Sequence, residues 1–105
     1  MPDVYAIVRQ AIVDKHQIVG MYHGRWREMC PHAIGTKKGV RNALCYQFAG
    51  DSEKGLGPPG SLNNWRCIHI DELTEVESRL GEWHTAPNHS RKAPCIDFID
   101  AEVDY

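Results

Sequence analysis

Apolar residues recur at helical intervals at the start of the chain, at Val4, Ile7, Val8, Ala11 and Ile12. This spacing predicts an amphipathic helix over 2–13, with Pro2 at a tolerated first-turn position and Asp3 near the positive helix end. The period then changes. Gln17-Ile18-Val19-Gly20-Met21-Tyr22-His23 is short and β-rich, and His23-Gly24 with Arg25 beyond it predicts a tight reversal into a second strand over 25–34. Gly35-Thr36-Lys37-Lys38-Gly39 reads as turn chemistry. A third strand comes next, in which Val40, Leu44, Tyr46 and Phe48 alternate with Arg41, Ala43, Cys45 and Gln47, and the Tyr46 and Phe48 side is the expected core side.

From Gly50 to Asn64 the chain has four Gly and two Pro in fifteen residues, which predicts a long loop, either functional as a lid or simply mobile. Strand character returns over 65–70, and Asp71-Glu72-Leu73 reads as a cap and a helical turn. Over 73–80 the apolar spacing suits a helix and a strand equally well. Residues 81–105 form a C-terminal extension. Ile96 and Phe98 alternate with Asp97 in a last strand or an acidic tail, and a strand there would either complete the sheet or add to another subunit's edge, giving a homodimer.

The expected architecture is therefore mainly β (α+β): a single domain over 1–105, with a helix in 1–15, a β unit in 16–80 and the extension. A hydrophobic fraction of 42% in 105 residues is enough for one modest core. With 12 basic and 14 acidic residues, a net charge of -2 gives the whole molecule no electrostatic reason to seek nucleic acid or an anionic membrane. Any anion-binding surface must be local. No basic leader with an apolar run opens the chain, and no window approaches the ~20 apolar residues that span a bilayer, so a cytoplasmic protein without a membrane partner is expected.

Candidate chemistry gathers in a phrase that nearly repeats, Trp26-Arg27-Glu28-Met29-Cys30-Pro31-His32 and Trp65-Arg66-Cys67-Ile68-His69. Each places a guanidinium, a cysteine and a histidine on a short strand. The four cysteines, at 30, 45, 67 and 95, are widely spaced, and three lie in apolar runs, so reduced thiols rather than a disulfide framework are expected. An alternative is a structural zinc site from Cys30, His32, Cys67 and His69, since tetrahedral zinc accepts two Cys and two His. Arg27 and Arg66 read equally well as solvated strand residues paired with Glu28, Asp71 or Glu72. Tyr46 also suits plain core, and His32 and His69 suit structural roles. No nucleophile elbow, P-loop or H-E-x-x-H phrase is present, so a small hydrolase is a third reading with less behind it, and no cofactor is called for.

From about Ala11 to Leu80, the order of elements is helix, strand, a strand with Arg27 and Pro31 four apart, a strand with a central aromatic, then Arg66-x-Ile68-x-Ile70-Asp71 before a short turn. In this it resembles the WYL domains, small Sm or SH3-like barrels that serve as ligand-sensing modules in bacterial transcription regulators. Leu44-Cys45-Tyr46 stands where that family carries its namesake Trp-Tyr-Leu. Ten residues of helix cannot supply the winged helix-turn-helix that usually accompanies the domain. The resemblance implies a barrel of about five antiparallel strands with an N-terminal helix, acting as a non-catalytic regulatory module. It further implies a pocket for an anionic small molecule, a nucleotide or a short nucleic-acid piece, lined by Arg27, His32, Tyr46 and Arg66 with Tyr22 as a further candidate, and read out by a partner protein. Arginine forks match phosphate oxygens, and Tyr46 would stack a base. Strict alternation sets Arg27 and His32 on opposite faces, so a bulge near Pro31 is needed to unite them.

Overall fold

The computed structural model describes residues 3–50, 64–85 and 96–103. Helix α1 spans Val4–Asp14 and buries Val8, Ala11 and Ile12. It ends at Lys15, whose left-handed backbone (φ 58°) turns the chain while the Lys15 and His16 amides donate to the Ile12 and Ala11 carbonyls. Strand β1 covers Gln17–Tyr22, β2 Arg25–Lys37 and β3 Val40–Gly50. Then come β4 at Trp65–His69, a 3-10 turn at Ile70–Glu72, β5 at Leu73–Arg79 and β6 at Phe98–Glu102.

The strands form one antiparallel sheet in the order β4-β3-β2-β1-β5, with β6 paired to β2 off that path. The expected mainly β fold with an N-terminal helix is thus observed, with six strands among the described residues. The sheet is open: it ends at β4 and β5, which the 3-10 turn joins, and its closure into a barrel is not seen. No helix among the described residues is long and apolar enough to cross a membrane.

Two expected turns differ in outcome. His23 and Gly24 both take positive φ (53° and 75°) and close the β1–β2 hairpin as the sequence predicts. The turn expected over 35–39 contracts to Lys38 and Gly39, because Gly35, Thr36 and Lys37 stay in β2, where Gly35 and Thr36 pair with both β3 and β6. The ambiguous 73–80 segment is strand β5: pairing with β1 decides what periodicity could not. The loop expected over 50–64 lies largely outside the described residues.

β2 is thirteen residues long, and its partners change along its length. Its first half pairs with β1, its second half with β6, and β3 runs beside it from Arg27 to Lys37. Both faces are consequently covered. On one, α1 and the sheet enclose Val8, Ile12, Ile18, Tyr22, Met29, Ala43, Cys45 and Ile68. On the other, Ala33, Leu44 and Ile96 cluster against Trp65. The core side of β3 is therefore corrected: the larger core takes Ala43 and Cys45, whereas Tyr46, also fully buried, packs with Trp65 on the opposite face. Alternation marked two faces but could not say that both would be covered.

β6 completes this chain's own sheet, the first of the two outcomes weighed for the last strand. Its approach is close enough that a Cβ on Gly35 would lie 1.9 Å from the Phe98 carbonyl oxygen. Gly35→Ala is expected to force β6 away from β2 and to cost about 1–3 kcal/mol, the usual penalty for overpacking. Urea denaturation checks this, and an unchanged midpoint would show that β6 does not need the close approach.

Candidate anion-binding site

Arg27 and Arg66 reach the same face of the sheet from different strands. On β2, Arg27 lies two residues before Met29 of the larger core. On β4, Arg66 lies two before Ile68 of that core and directly opposite Cys45. Gln47, two residues beyond Cys45 on β3, stands between them and completes the row. Its Oε1 accepts a long 3.5 Å contact from Arg27 Nη1, and its Nε2 donates to the Ala49 carbonyl at 3.1 Å.

Neither arginine is a solvated strand residue. Arg27 is 4% exposed and Arg66 8%. The carboxylates named as ordinary partners are engaged elsewhere: Glu28 with Arg79, Asp71 with Arg41, and Glu72 with His23 and His69. Arg66 Nη1 donates to the Trp65 carbonyl at 3.0 Å, and burial, with the Arg27 charge acting the same way, pushes its pKa down. Arg27 rests 5.0 Å over the Tyr22 ring, a cation–π contact, and its Nε is buried without a hydrogen-bond partner among the described residues. No carboxylate among the described residues pairs with Arg27. Tyr22 is itself anchored, accepting the His69 amide at 3.0 Å, and burial raises its phenol above the ordinary value so that it stays neutral.

The backbone makes room for Arg27. Its cross-strand neighbours are glycines on both sides, Gly20 on β1 and Gly50 on β3. Gly50 is required there twice over: its φ is 88°, and a Cβ would sit 2.4 Å from the Trp26 carbonyl oxygen and 2.8 Å from the Arg27 Cα. With no side chain on either flank, a long guanidinium can lie down over Tyr22.

His32 and Tyr46 are elsewhere. The irregularity needed near Pro31 exists: Pro31 pairs with Cys45 and Ala33 with Leu44, leaving His32 as the extra residue of a bulge. His32 keeps the face that alternation gives it, opposite Arg27 and beside Trp65, and it is Ala33 and the residues beyond that change face. There His32 is fully buried, with Nδ1 on the Cys30 carbonyl at 2.8 Å and Nε2 on Thr85 Oγ1 at 2.9 Å. Its ring meets Trp65 edge-on at 4.6 Å and Trp83 at 4.9 Å, and Tyr46 closes on Trp65 at 5.0 Å. Of the residues predicted for a site, Arg27, Arg66 and Tyr22 lie on one face of the sheet, and His32 and Tyr46 pack on the other. Gln47 was missed because alternation put it on the presumed solvent side of β3.

The four residues proposed for zinc are not assembled into a centre. Cys67 is disulfide-bonded, which corrects the expectation of reduced thiols throughout; Cys30 and Cys45 are free and buried, and Cys95 lies outside the described residues. Cys30 Sγ accepts the His84 amide at 3.2 Å, and His69 engages Glu72. Among the described residues no group of three or more His, Cys, Asp or Glu is arranged to hold a metal ion. Burial lifts the Cys30 thiol to about 11 and the Cys45 thiol further, the opposite of what a nucleophile needs.

No family model, curated protein or solved structure matches the chain.

This geometry makes two outcomes testable. A buried charge without an ionic partner contributes little net stability, so Arg27→Met should leave the unfolding free energy in anion-free buffer within about 1 kcal/mol of the parent, or raise it. A loss above about 3 kcal/mol would instead make Arg27 a structural prop. Because both free thiols stay protonated in the fold, Cys30 and Cys45 should resist alkylation at about pH 8 and react once urea unfolds the chain. Their raised pKa values favour the folded state below the unfolded thiol pKa, and that contribution is lost as pH rises above it. Rapid labelling of the folded protein at either thiol would contradict their burial.

Proposed function

We propose that this chain is a non-catalytic binding module that captures an anion with Arg27 and Arg66, as a divergent relative of WYL-type sensing domains. The observation that carries the reading is Arg27: 4% exposed, with a buried Nε that has no partner among the described residues. Removing a guanidinium from water costs several kcal/mol unless other groups answer its charge. Among the described residues that answer is an aromatic face and a long amide contact. An incoming anion would supply the missing acceptors.

A second guanidinium, Arg66, lies on the same face of the sheet, where burial and the Arg27 charge push its pKa down, and perturbed groups of this kind gather at functional sites. Tyr22 and Gln47 then act as positioning groups, the first supporting the Arg27 plane and the second spanning the gap to Cys45 and Arg66. Nothing in this set supplies a nucleophile or a base, which is why a binding role is preferred to hydrolysis. A partner protein would read occupancy, as the resemblance to WYL-type domains implies.

Thermal denaturation tests the reading. A ligand that binds only the folded form, present at about ten times its Kd, adds about 1.4 kcal/mol, or roughly 5–10 °C in a domain of this size. Inorganic phosphate, nucleotides and short oligonucleotides form the panel. At least one should raise the melting point, and Arg27→Met with Arg66→Met should abolish the rise while far-UV circular dichroism stays unchanged. A shift that survives in the double variant would place binding elsewhere.

A further inference from the structure

The cysteines of this chain are not alike. Cys30 and Cys45 are free and fully buried, whereas Cys67 is disulfide-bonded. The sequence holds four cysteines, so elimination leaves Cys95 as the partner of Cys67. We infer that Cys67 and Cys95 form one disulfide that ties the approach to β6 onto the edge strand β4, and that thiol–disulfide exchange makes and releases this tether while the other two cysteines stay reduced. This goes beyond the anion-binding reading and does not depend on it.

The first ground is position. Cys67 lies directly opposite Leu44 in the β3–β4 ladder, on the face where Ala33, Leu44 and Ile96 cluster against Trp65. Ile96 is held there by burial, and the Asp97 amide beyond it donates to the Thr36 carbonyl at 2.8 Å. Cys95 precedes Ile96 by one peptide unit, about 3.8 Å between Cα atoms, and a disulfide joins Cα atoms about 4.4–6.8 Å apart. A cysteine next to Ile96 is therefore within reach of one opposite Leu44.

The second ground is what the bond would hold. β6 is five residues long and exposed at Phe98 and Ile99, so it buries little apolar surface of its own. Its apolar anchors are Ile96 before it and Val103 after it. The cluster beneath Ile96 draws on three strands, β2 at Ala33, β3 at Leu44 and β4 at Trp65. A covalent tie beside Ile96 keeps that residue seated and β6 on the edge of β2.

The third ground is selectivity. Cys67 is exposed on β4, open to attack by an external thiolate. Cys30 and Cys45 are sealed, and burial raises both thiols, so neither supplies a thiolate to compete for the bond. With a dithiol as reductant, one thiolate attacks a sulfur of the bond, giving a mixed disulfide and one cysteine thiolate. The second thiol of the reductant then attacks the mixed disulfide. The products are two cysteine thiols and the cyclic disulfide of the reductant, two electrons and two protons having passed to the protein.

The test uses the intact chain, purified without reductant and equilibrated with oxidised glutathione. Thiol titration in urea should find two free thiols, and a non-reducing digest should yield one linked peptide pair, Cys67 with Cys95. Dithiothreitol added to the folded protein should expose those two thiols to alkylation and leave Cys30 and Cys45 unlabelled. Because the bond closes a loop of about 30 residues, its loss should lower the melting temperature by roughly 10–20 °C. The Cys67→Ser, Cys95→Ser variant should melt with the reduced protein and ignore dithiothreitol. Four free thiols after oxidation, a linked pair involving Cys30 or Cys45, or a disulfide-linked dimer would overturn the pairing. A melting temperature in the parent that does not respond to dithiothreitol, with the bond shown to be reduced, would overturn the tether.

Discussion

Everything else in this fold depends on β2 being shared. One thirteen-residue strand gives its first half to β1, its second half to β6, and nearly all of its length to β3. A strand used on both edges and covered on both faces has few positions free to face water, and from Met29 to Gly35 every residue is buried. That constraint explains why a histidine, a proline and two glycines' worth of close approach are found in its neighbourhood. Polar groups there must be satisfied internally, as His32 is at both ring nitrogens; the Arg27 Nε is left without a hydrogen-bond partner among the described residues.

Two register irregularities in the β2–β3 ladder let one strand serve two cores. At the first, between Glu28 and Met29, Phe48 is the extra residue on β3; at the second, His32 is the extra residue on β2. Each changes the face of the residues beyond it. The second brings Ala33 to the face of Leu44 and Trp65, where His32 already lies, and the first keeps Gln47 beside Arg27 while Gly50 is brought opposite it. The site and the aromatic cluster are thus products of the same device. Bulges commonly re-aim side chains near functional positions, and here they separate a neutral, fully packed face from one holding two buried cations.

The charged residues divide along the same line. Surface pairs such as Arg9 with Asp100 and Arg79 with Glu28 tie α1 to β6 and β5 to β2, and being exposed they contribute modestly. Arg41 bridges Asp3 and Asp71 over the Tyr5 ring in the same manner. Arg27 draws on none of these carboxylates, and among the described residues its buried Nε has no hydrogen-bond partner.

Much of the architecture was legible in the chain. The spacing of Val8, Ala11 and Ile12 dictates the opening helix, His23-Gly24 the first hairpin, and the alternation after Val40 the third strand, because these are local signals set by side-chain periodicity and by glycine's access to positive φ. The prominence of Arg27 and Arg66 was also legible, as a repeated phrase. That they share one face of the sheet was not. It depends on which residue of β3 lies opposite which of β2 and β4, and a slip of one position moves every side chain to the other face. Gln47 was overlooked and the core side of β3 misjudged for that reason, whereas His32 lies on the face, opposite Arg27, that alternation gave it. The disulfide at Cys67 and the strand nature of residues 73–79 belong with them, since each is decided by what the folded chain brings alongside and not by what stands next in sequence.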